Sequence, residues 1–310
     1  MRLLIILLIL NASLLVLGQQ QPHVEIVATG MTWAENIIIS QANGVAFVSD
    51  IYGGNLWKIY RNETSQQFEK RLFLGQDSCH NCPTAYFGLA LVETTRNILY
   101  VVVKFPDGQS AVIQMDPDQP LAYEIVSIIP KLGNGLAYHQ LTGLLYVTSE
   151  GFFMPEAGEI FEVDPIRKTS RILFDRLYAT DGAWIDQEKH WLYVSEVVGS
   201  RVLVIDLLKG NIIRKFEAPC TMLDDFTLSR DGLTMIGADY WAGRIVEFSA
   251  WDGSNGTTLL DNVRNPTSVR FGPSLLIPNS NRQSLFVTEG GSLNPIFRKP
   301  DRNVLEIDIS

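Results

Sequence analysis

Six short segments of β-forming residues recur along the chain, and this repeat limits the possible folds more than any other feature of the sequence. Each is an apolar run, often aromatic at its centre, that commonly ends in Ser or Thr and an acidic residue. The six are VAFVSDI (45–51), ILYVVVK (98–104), LLYVTSE (144–150), WLYVSEV (191–197), LTMIGAD (233–239) and LFVTEGG (285–291). A repeat of roughly 40 to 50 residues indicates an array of similar supersecondary units.

The residues around each segment complete the unit. A turn containing Gly and a second alternating strand follow most of the segments, and another short apolar run precedes each one. The preceding runs are ENIII (35–39), FGLALV (87–92), NGLAYH (134–139), DGAWID (181–186), DDFTLS (224–229) and PTSVRF (266–271). Four short strands per unit are typical of a propeller blade, and no long segment has helical periodicity. The sequence therefore predicts an all-β fold, a six-bladed β-propeller.

The start of the chain is interpreted as a signal peptide over residues 1–18. Met1-Arg2 is followed by an apolar run from Leu3 to Leu17 and by the small residue Gly18. The run is short for a bilayer span of about 20 residues, although an uncleaved signal anchor stays open as the alternative. The mature propeller would occupy residues 19–310, in a secreted protein. Within it, a lone strand over residues 22–29 is expected to complete the last blade and close the ring.

Composition excludes some partners. The chain of 310 residues has a formal net charge of −9, so it lacks the basic face that binding to nucleic acids requires. No second segment is long and apolar enough to span a membrane. The expected partner is a small-molecule substrate.

Secretion makes two modifications relevant. Asn62 and Asn255 lie in N-x-T sequons and are candidates for glycosylation. Three cysteines, Cys79, Cys82 and Cys220, allow either a local disulfide between the first two or a longer bond to Cys220. The sequence leaves both pairings open.

Polar residues are expected to meet where the first residues of the inner strands converge at one mouth of the channel. The positions assigned to this ring are Glu35, Tyr86 or Phe87, Asn134, Asp181, Asp225 and Thr267. Carboxylate and amide oxygens suit a hard cation, with Ca²⁺ favoured over Mg²⁺ in a loose site, whereas the absence of His and Cys is unfavourable for zinc. Asn-Gly and Asp-Gly are also common turn dipeptides, which is the competing interpretation.

These residues resemble the metal-binding motifs of the senescence marker protein/gluconolactonase family, to which regucalcin belongs. The resemblance rests on Glu35 in TWAENIII, Asn134 in GNGLAYHQLTGLLYVTSE and Asp181 in TDGAWIDQEKHWLYVSEVVGSRV, and PTSVRFG with SLFVTEGG is similar to the last blade. It implies a six-bladed propeller with an axial divalent metal, usually Ca²⁺, that hydrolyses lactones or phosphotriesters. It further implies that Glu35, Asn134 and Asp181 are metal ligands, with Asp181 also the catalytic base or nucleophile.

The second blade departs from the family pattern. The family supplies an amide there, whereas this chain has Ala85-Tyr86-Phe87-Gly88. Asp225, or Asp224 beside it, is a candidate to compensate. Tyr86 and Phe87, with Trp241 near the mouth, are expected to line an aromatic substrate pocket that favours an apolar substrate.

Other recurring residues are expected to serve the fold. The acids that end several repeat segments, Glu150, Glu196 and Glu289, are interpreted as structural turn residues, and Trp33 as a residue packed between blades.

Two functions follow from the sequence. The first is a secreted, Ca²⁺-dependent hydrolase of lactones or related esters, in which the metal acts as a Lewis acid. The alternative is a non-catalytic secreted propeller that binds a small ligand or a protein partner at the same mouth.

Overall fold

The computed structural model describes residues 22–42, 44–94, 97–151, 154–275, 283–291 and 301–308. These residues form six four-stranded antiparallel sheets, so the predicted six-bladed propeller is confirmed. Within the described ranges the helical content is a single 3₁₀ turn, Pro120–Ala122, and no helix there has the length and apolar character needed to cross a bilayer. The predicted signal peptide, residues 1–18, lies outside the described residues.

The strands follow one another from the channel outward in each blade. Blade 1 comprises β2 (Ala34–Ile39), β3 (Ala46–Asp50), β4 (Asn55–Arg61) and β5 (Phe68–Gly75); blade 2 comprises β6 (Ala85–Val92), β7 (Ile98–Lys104), β8 (Ser110–Met115) and β9 (Glu124–Ile129); blade 3 comprises β10 (Leu136–His139), β11 (Leu144–Ser149), β12 (Gly158–Asp164) and β13 (Thr169–Leu177). Blade 4 comprises β14 (Thr180–Asp186), β15 (Trp191–Glu196), β16 (Arg201–Asp206) and β17 (Asn211–Glu217); blade 5 comprises β18 (Leu223–Leu228), β19 (Thr234–Asp239), β20 (Arg244–Ser249) and β21 (Thr257–Asp261); blade 6 comprises β22 (Pro266–Pro273), β23 (Gln283–Glu289), β24 (Arg302–Asp308) and β1 (Val24–Met31).

Blade 6 takes its outer strand from the other end of the chain. Strand β1 pairs antiparallel with β24, with Val24 opposite Ile307 and Ile26 opposite Leu305. The strand lies where the sequence predicts a closing strand, and it joins the two ends of the chain in one sheet. Two shifts of register in β1 disturb its pairing with β24, an irregularity that makes an edge strand a poorer template for further pairing.

The core is divided among the blade interfaces. In β7 of blade 2, Val101 packs with residues of blade 1, whereas Val102 packs with residues of blade 3. Because both faces of this strand are covered, its sequence is a continuous apolar run rather than an alternating one.

One end of the channel collects the residues that matter for function. An inner strand begins at this end, the second strand returns to it, and the turn from the second to the third strand therefore lies there too. We call this end the mouth. The opposite end is formed by the turns that join first to second strands and third to fourth strands.

Candidate functional site

A β-bulge begins most of the inner strands and fixes which side chains occupy equivalent positions. In blade 1, Ala34 pairs with Asp50 and Ile37 with Val48, so two residues lie opposite one. The same shift occurs in blades 2, 4 and 5, and a one-residue variant in blade 6. In blade 3 the position precedes β10, whose Leu136 pairs with Val147. The six equivalent residues are Glu35, Phe87, Asn134, Asp181, Asp224 and Thr267.

This register decides one alternative left open by the sequence and corrects another assignment. In blade 2 the ring position belongs to Phe87, because Tyr86 still pairs regularly with Val103. In blade 5 it belongs to Asp224 and not to Asp225, because the bulge starts one residue earlier than the strand pattern indicates.

Three carboxylates from three blades meet at the channel mouth. One oxygen each of Glu35, Asp181 and Asp224 lies within 4.8 Å of the others, and all three side chains are buried. Asn134, from a fourth blade, has its amide nitrogen 3.4 Å from Oε1 of Glu35. The structure thus brings together the three residues predicted as metal ligands and adds Asp224.

Glu150 is a fourth acid of this cluster, so its interpretation as a turn residue is wrong. Its Oε1 accepts a hydrogen bond of 2.5 Å from the amide nitrogen of Asn134, and its carboxyl group is hydrogen-bonded to Asp181. Glu196 and Glu289 do have structural roles. Glu196 accepts the backbone N–H of Tyr178, and Glu289 forms an ion pair with Arg264.

Burial shapes the electrostatics of the four acids. It raises the pKa of Glu35 to about 8, with repulsion from Glu150 as the next cause. Burial likewise raises the pKa of Asp181, where Asp224 contributes next, and the pKa of Asp224, where Glu35 contributes next. The pKa of Glu150 is raised mainly by burial too. Glu35 therefore retains its proton at neutral pH unless a cation compensates the charge of the cluster.

The donor set suits a divalent cation. Oδ1 of Asn134 and Oδ1 of Asp224 are buried without a hydrogen-bond partner, which is costly unless something binds them. All the donors are oxygens, as Ca²⁺ and Mg²⁺ require, and a carboxylate-rich site with an amide is within the range that Ca²⁺ accepts. Glu35, Asn134, Asp181 and Asp224, with Glu150 beside them, could hold such an ion.

Three hydroxyl groups fix the backbone of the three clustered carboxylates. Thr148 donates to the carbonyl oxygen of Asp181, Ser195 to that of Asp224 at 2.6 Å, and Thr288 to that of Glu35 at 3.0 Å. Each hydroxyl belongs to the blade that precedes the carboxylate around the ring. The Ser or Thr that recurs in the repeat segments is therefore an interblade tether.

The glycine that follows several ring residues has a packing role. A Cβ atom on Gly135 would lie 2.2 Å from the carbonyl oxygen of Asp181, and one on Gly88 would lie 2.3 Å from that of Asn134. Glycine thus permits the next blade to approach, and neither Asn134-Gly135 nor Asp181-Gly182 forms a turn.

The residues predicted to line a substrate pocket are dispersed. Tyr86 is buried in the interface between blades 1 and 2, because its side chain points away from the channel. Asp225 is buried in an ion pair of 2.7 Å with Arg270 and also accepts a hydrogen bond from Ser268. Phe87 occupies the ring position, and Trp241 is exposed at the mouth.

The structure decides the disulfide pairing and places both sequons at the surface. A disulfide joins Cys79 and Cys82, the local pairing, and leaves Cys220 as a half-buried free thiol. Asn255 is exposed, and Asn62 lies in a surface turn in which its Oδ1 accepts the backbone N–H of Thr64.

An apolar layer lies beside the carboxylates at the mouth. It consists of Trp33, Ala179, Val197, Met222 and Tyr240, packed together with Ile51. Trp33 is not confined to packing, because its indole N–H donates a hydrogen bond of 2.6 Å to Glu35. The layer explains why the acids beside it are desolvated.

Comparisons with known proteins support the fold. A scan against protein-family models finds no match, and a search of curated proteins finds none. Among solved structures, a luciferin-regenerating enzyme is similar at 17% identity, a TM-score of 0.65 and coverage of 93% of this chain and 95% of its own. A gluconolactonase from Xanthomonas campestris is similar at 15% identity, a TM-score of 0.64 and coverage of 92% and 90%.

Two further structures show how widely the fold is used. The calcium-binding protein regucalcin from Agrobacterium tumefaciens is similar at 14% identity, a TM-score of 0.62 and coverage of 91% and 94%. A chain of a nidogen/laminin complex is similar at 13% identity, a TM-score of 0.59 and coverage of 78% and 85%. The chain therefore has the six-bladed propeller fold of regucalcin, gluconolactonase and luciferin-regenerating enzyme.

Proposed function

We propose that this protein is a divalent-metal-dependent hydrolase of lactones or related esters, with Ca²⁺ as its metal. The observation that carries the proposal is the buried cluster of Glu35, Asp181 and Asp224 beside Asn134, in which Oδ1 of Asn134 and Oδ1 of Asp224 have no hydrogen-bond partner. Gluconolactonase and regucalcin, which share the fold, support the reaction class and the metal.

In this mechanism Glu35, Asn134, Asp181 and Asp224 would hold the metal, and the bound metal would serve to polarise the carbonyl group of the ester. Asp181 is the proposed base that activates water, since Asp224, Glu150 and Glu35 all lie near enough to act on its charge and its backbone is fixed by Thr148. Trp33 orients Glu35, and the apolar layer around Trp33 excludes bulk water from the acids. Low local polarity strengthens every charge interaction in such a site.

Secretion is part of the proposal. The apolar run at residues 3–17, the two sequons and the local disulfide favour an extracellular protein. N-terminal sequencing of the protein recovered from the medium of producing cells tests it, and the expected first residue is Gln19. An intact residue 1 in membrane fractions would favour the signal anchor.

A non-catalytic propeller that binds a ligand at the mouth is the second candidate. The observation that favours it is Phe87, an apolar residue at the ring position where the related family supplies an amide. The fold itself does not discriminate, because one fold supports both enzymes and binding proteins.

Metal binding is tested first. Luminescence of Tb³⁺, sensitised by Trp33 and competed by Ca²⁺, should be lost in Asp181→Asn and Asp224→Asn but not in Asp118→Asn, an exposed acid far from the site. Hydrolysis of a panel of lactones and aryl esters is then measured with and without chelator. Metal binding without hydrolysis would favour the binding protein, and no metal binding would refute the proposed site.

A further inference from the structure

The mouth of the channel carries a second set of equivalent residues, one step beyond the apolar layer. They lie in the turn between the second and third strands, three residues after the second-strand residue that stands opposite the bulge (Ser49, Val102, Ser195 and Ala238 in blades 1, 2, 4 and 5). In four blades this position is a large apolar side chain: Tyr52, Phe105, Val198 and Trp241. We call these four residues the mouth rim.

The rim is unusually exposed for apolar side chains. Tyr52 is 49% exposed, Val198 41% and Trp241 60%, and Phe105 is half-buried. Single exposed apolar residues are ordinary, whereas a group of them around one opening marks a binding surface.

Aromatic contacts connect the rim to the carboxylates. Tyr52 packs edge-on against Trp33 at 5.2 Å between ring centroids, Trp33 stacks on Tyr240 at 6.0 Å, and Tyr240 packs edge-on against Trp241 at 5.4 Å. Trp33 in turn hydrogen-bonds Glu35. An unbroken aromatic path therefore leads from two exposed rings to the site.

The chemistry of the rim selects among ester substrates. Its side chains are hydrocarbon apart from one phenol O–H and one indole N–H, so they offer few hydrogen-bond partners to a substrate rich in hydroxyl groups. A polyhydroxylated lactone would lose hydrogen bonds to water there without replacing them. A flat aromatic body would stack on Trp241 and Tyr52, and such contacts are favourable beyond the area they bury.

We infer that the mouth rim binds the aromatic or apolar body of the substrate, so that the preferred substrates are aryl-fused or otherwise apolar lactones and esters rather than sugar lactones. The inference rests on the proposed function and names its substrate class. It replaces Tyr86 and Asp225 of the sequence-based pocket by residues of the turns at the mouth.

The test compares 3,4-dihydrocoumarin, a benzo-fused lactone, with glucono-δ-lactone. The expected kcat/KM is at least about tenfold higher for dihydrocoumarin in the wild type. Trp241→Ala and Tyr52→Ala should each lower it about 3- to 10-fold for dihydrocoumarin and leave gluconolactone unchanged. Trp251→Ala is the matched control, because Trp251 is 65% exposed at the opposite end of the channel. Equal or better use of gluconolactone, or equal losses on both substrates, would overturn the inference.

Binding of 2-tetralone, the ketone analogue that cannot be hydrolysed, separates this inference from the proposed function. Calorimetric titration should give a dissociation constant about 3- to 10-fold weaker in Trp241→Ala and unchanged in Trp251→Ala. This result in a protein that hydrolyses nothing would refute the proposed function and support the rim. Sedimentation velocity covers a protein partner: if Trp241→Ala dissolves an oligomer and leaves 2-tetralone binding unchanged, the rim is a protein interface and the inference is wrong.

Discussion

The amide nitrogen of Asn134 lies 2.5 Å from Oε1 of Glu150, to which it donates, and this bond orients the amide. With its nitrogen engaged, Asn134 keeps a buried Oδ1 that has no hydrogen-bond partner. Outer partners of metal ligands commonly contribute to affinity in this way.

We expect Glu150→Ala to weaken Ca²⁺ binding by about 10- to 100-fold, because the amide of Asn134 loses the contact that orients it. Competition against Tb³⁺ luminescence measures the change. Glu188→Ala, which removes an exposed acid near the opposite end of the channel, is the control for overall charge. Unchanged affinity in Glu150→Ala would show that Asn134 needs no such partner.

The metal-free protein should lose stability as the pH rises. Because the pKa of Glu35 is raised from 4.5 to about 8, the folded state binds more protons than the unfolded chain between these values. The free energy of unfolding in chelator therefore falls through this window. Thermal unfolding followed from acid to mildly alkaline pH checks the sign, and Glu35→Gln should flatten the slope. A metal-free protein that gains stability over this range would contradict the desolvated cluster.

Calcium should reverse that trend. Ligands must be deprotonated before they bind a metal, so binding releases protons and the affinity rises with pH. The stabilisation by Ca²⁺ should be larger at pH about 8 than at pH about 5. Thermal unfolding at fixed free Ca²⁺ measures it, and Asp224→Asn should reduce the effect. A shift independent of pH would argue against carboxylate ligands.

Gly135→Ala should be strongly destabilising. Its Cβ would meet the carbonyl oxygen of Asp181 at 2.2 Å, and a backbone atom cannot withdraw as a flexible side chain can. We expect a loss of about 3 kcal/mol or more in the free energy of unfolding. Gly210→Ala is the control, since nothing lies within 4 Å and only its positive φ of 68° opposes a side chain, at about 1–2 kcal/mol. Equal losses in denaturant titrations would refute close blade contact at Gly135.

Removal of the closing strand should unfold the propeller. A chain that begins at Thr32 lacks β1, including the buried Val27 and Met31, so β24 has an unpaired edge and the core around Ala34 and Ile37 is uncovered. We expect no cooperative unfolding transition, whereas a chain that begins at Pro22 should unfold like the full protein. Calorimetry distinguishes them, and a normal transition in the shorter chain would show that closure is dispensable.

The sequence predicts the fold well because each blade repeats the same short strands and turns. The convergence of Glu35, Asn134 and Asp181 follows from that repeat, since equivalent residues of a ring must meet at its axis. The strand pattern alone does not tell which side chain occupies the ring position where a bulge adds a residue. In blade 5 the bulge contains both Asp224 and Asp225, and the pattern of DDFTLS does not mark which of the two acids occupies the ring position.

Glu150 escaped prediction for a related reason. In blade 4 the segment ends Ser195-Glu196, and the acid turns outward to accept a backbone N–H. In blade 3 it ends Thr148-Ser149-Glu150, so the acid stands one residue later and faces the channel. The extra residue before the acid was the sequence signal that distinguishes Glu150 from Glu196. Of the mouth rim only Trp241 was predicted, because the rim residues lie in turns whose place depends on the closed ring.

The three hydroxyl tethers divide each carboxylate and its anchor between two neighbouring blades. Thr148, Ser195 and Thr288 each set the backbone of a carboxylate that belongs to the following blade. A duplicated or exchanged blade would thus bring its own carboxylate but leave that carboxylate's anchor behind. Evolution therefore has to conserve the interface between two neighbouring blades as one piece. A single blade contains only one side of each of its two interfaces.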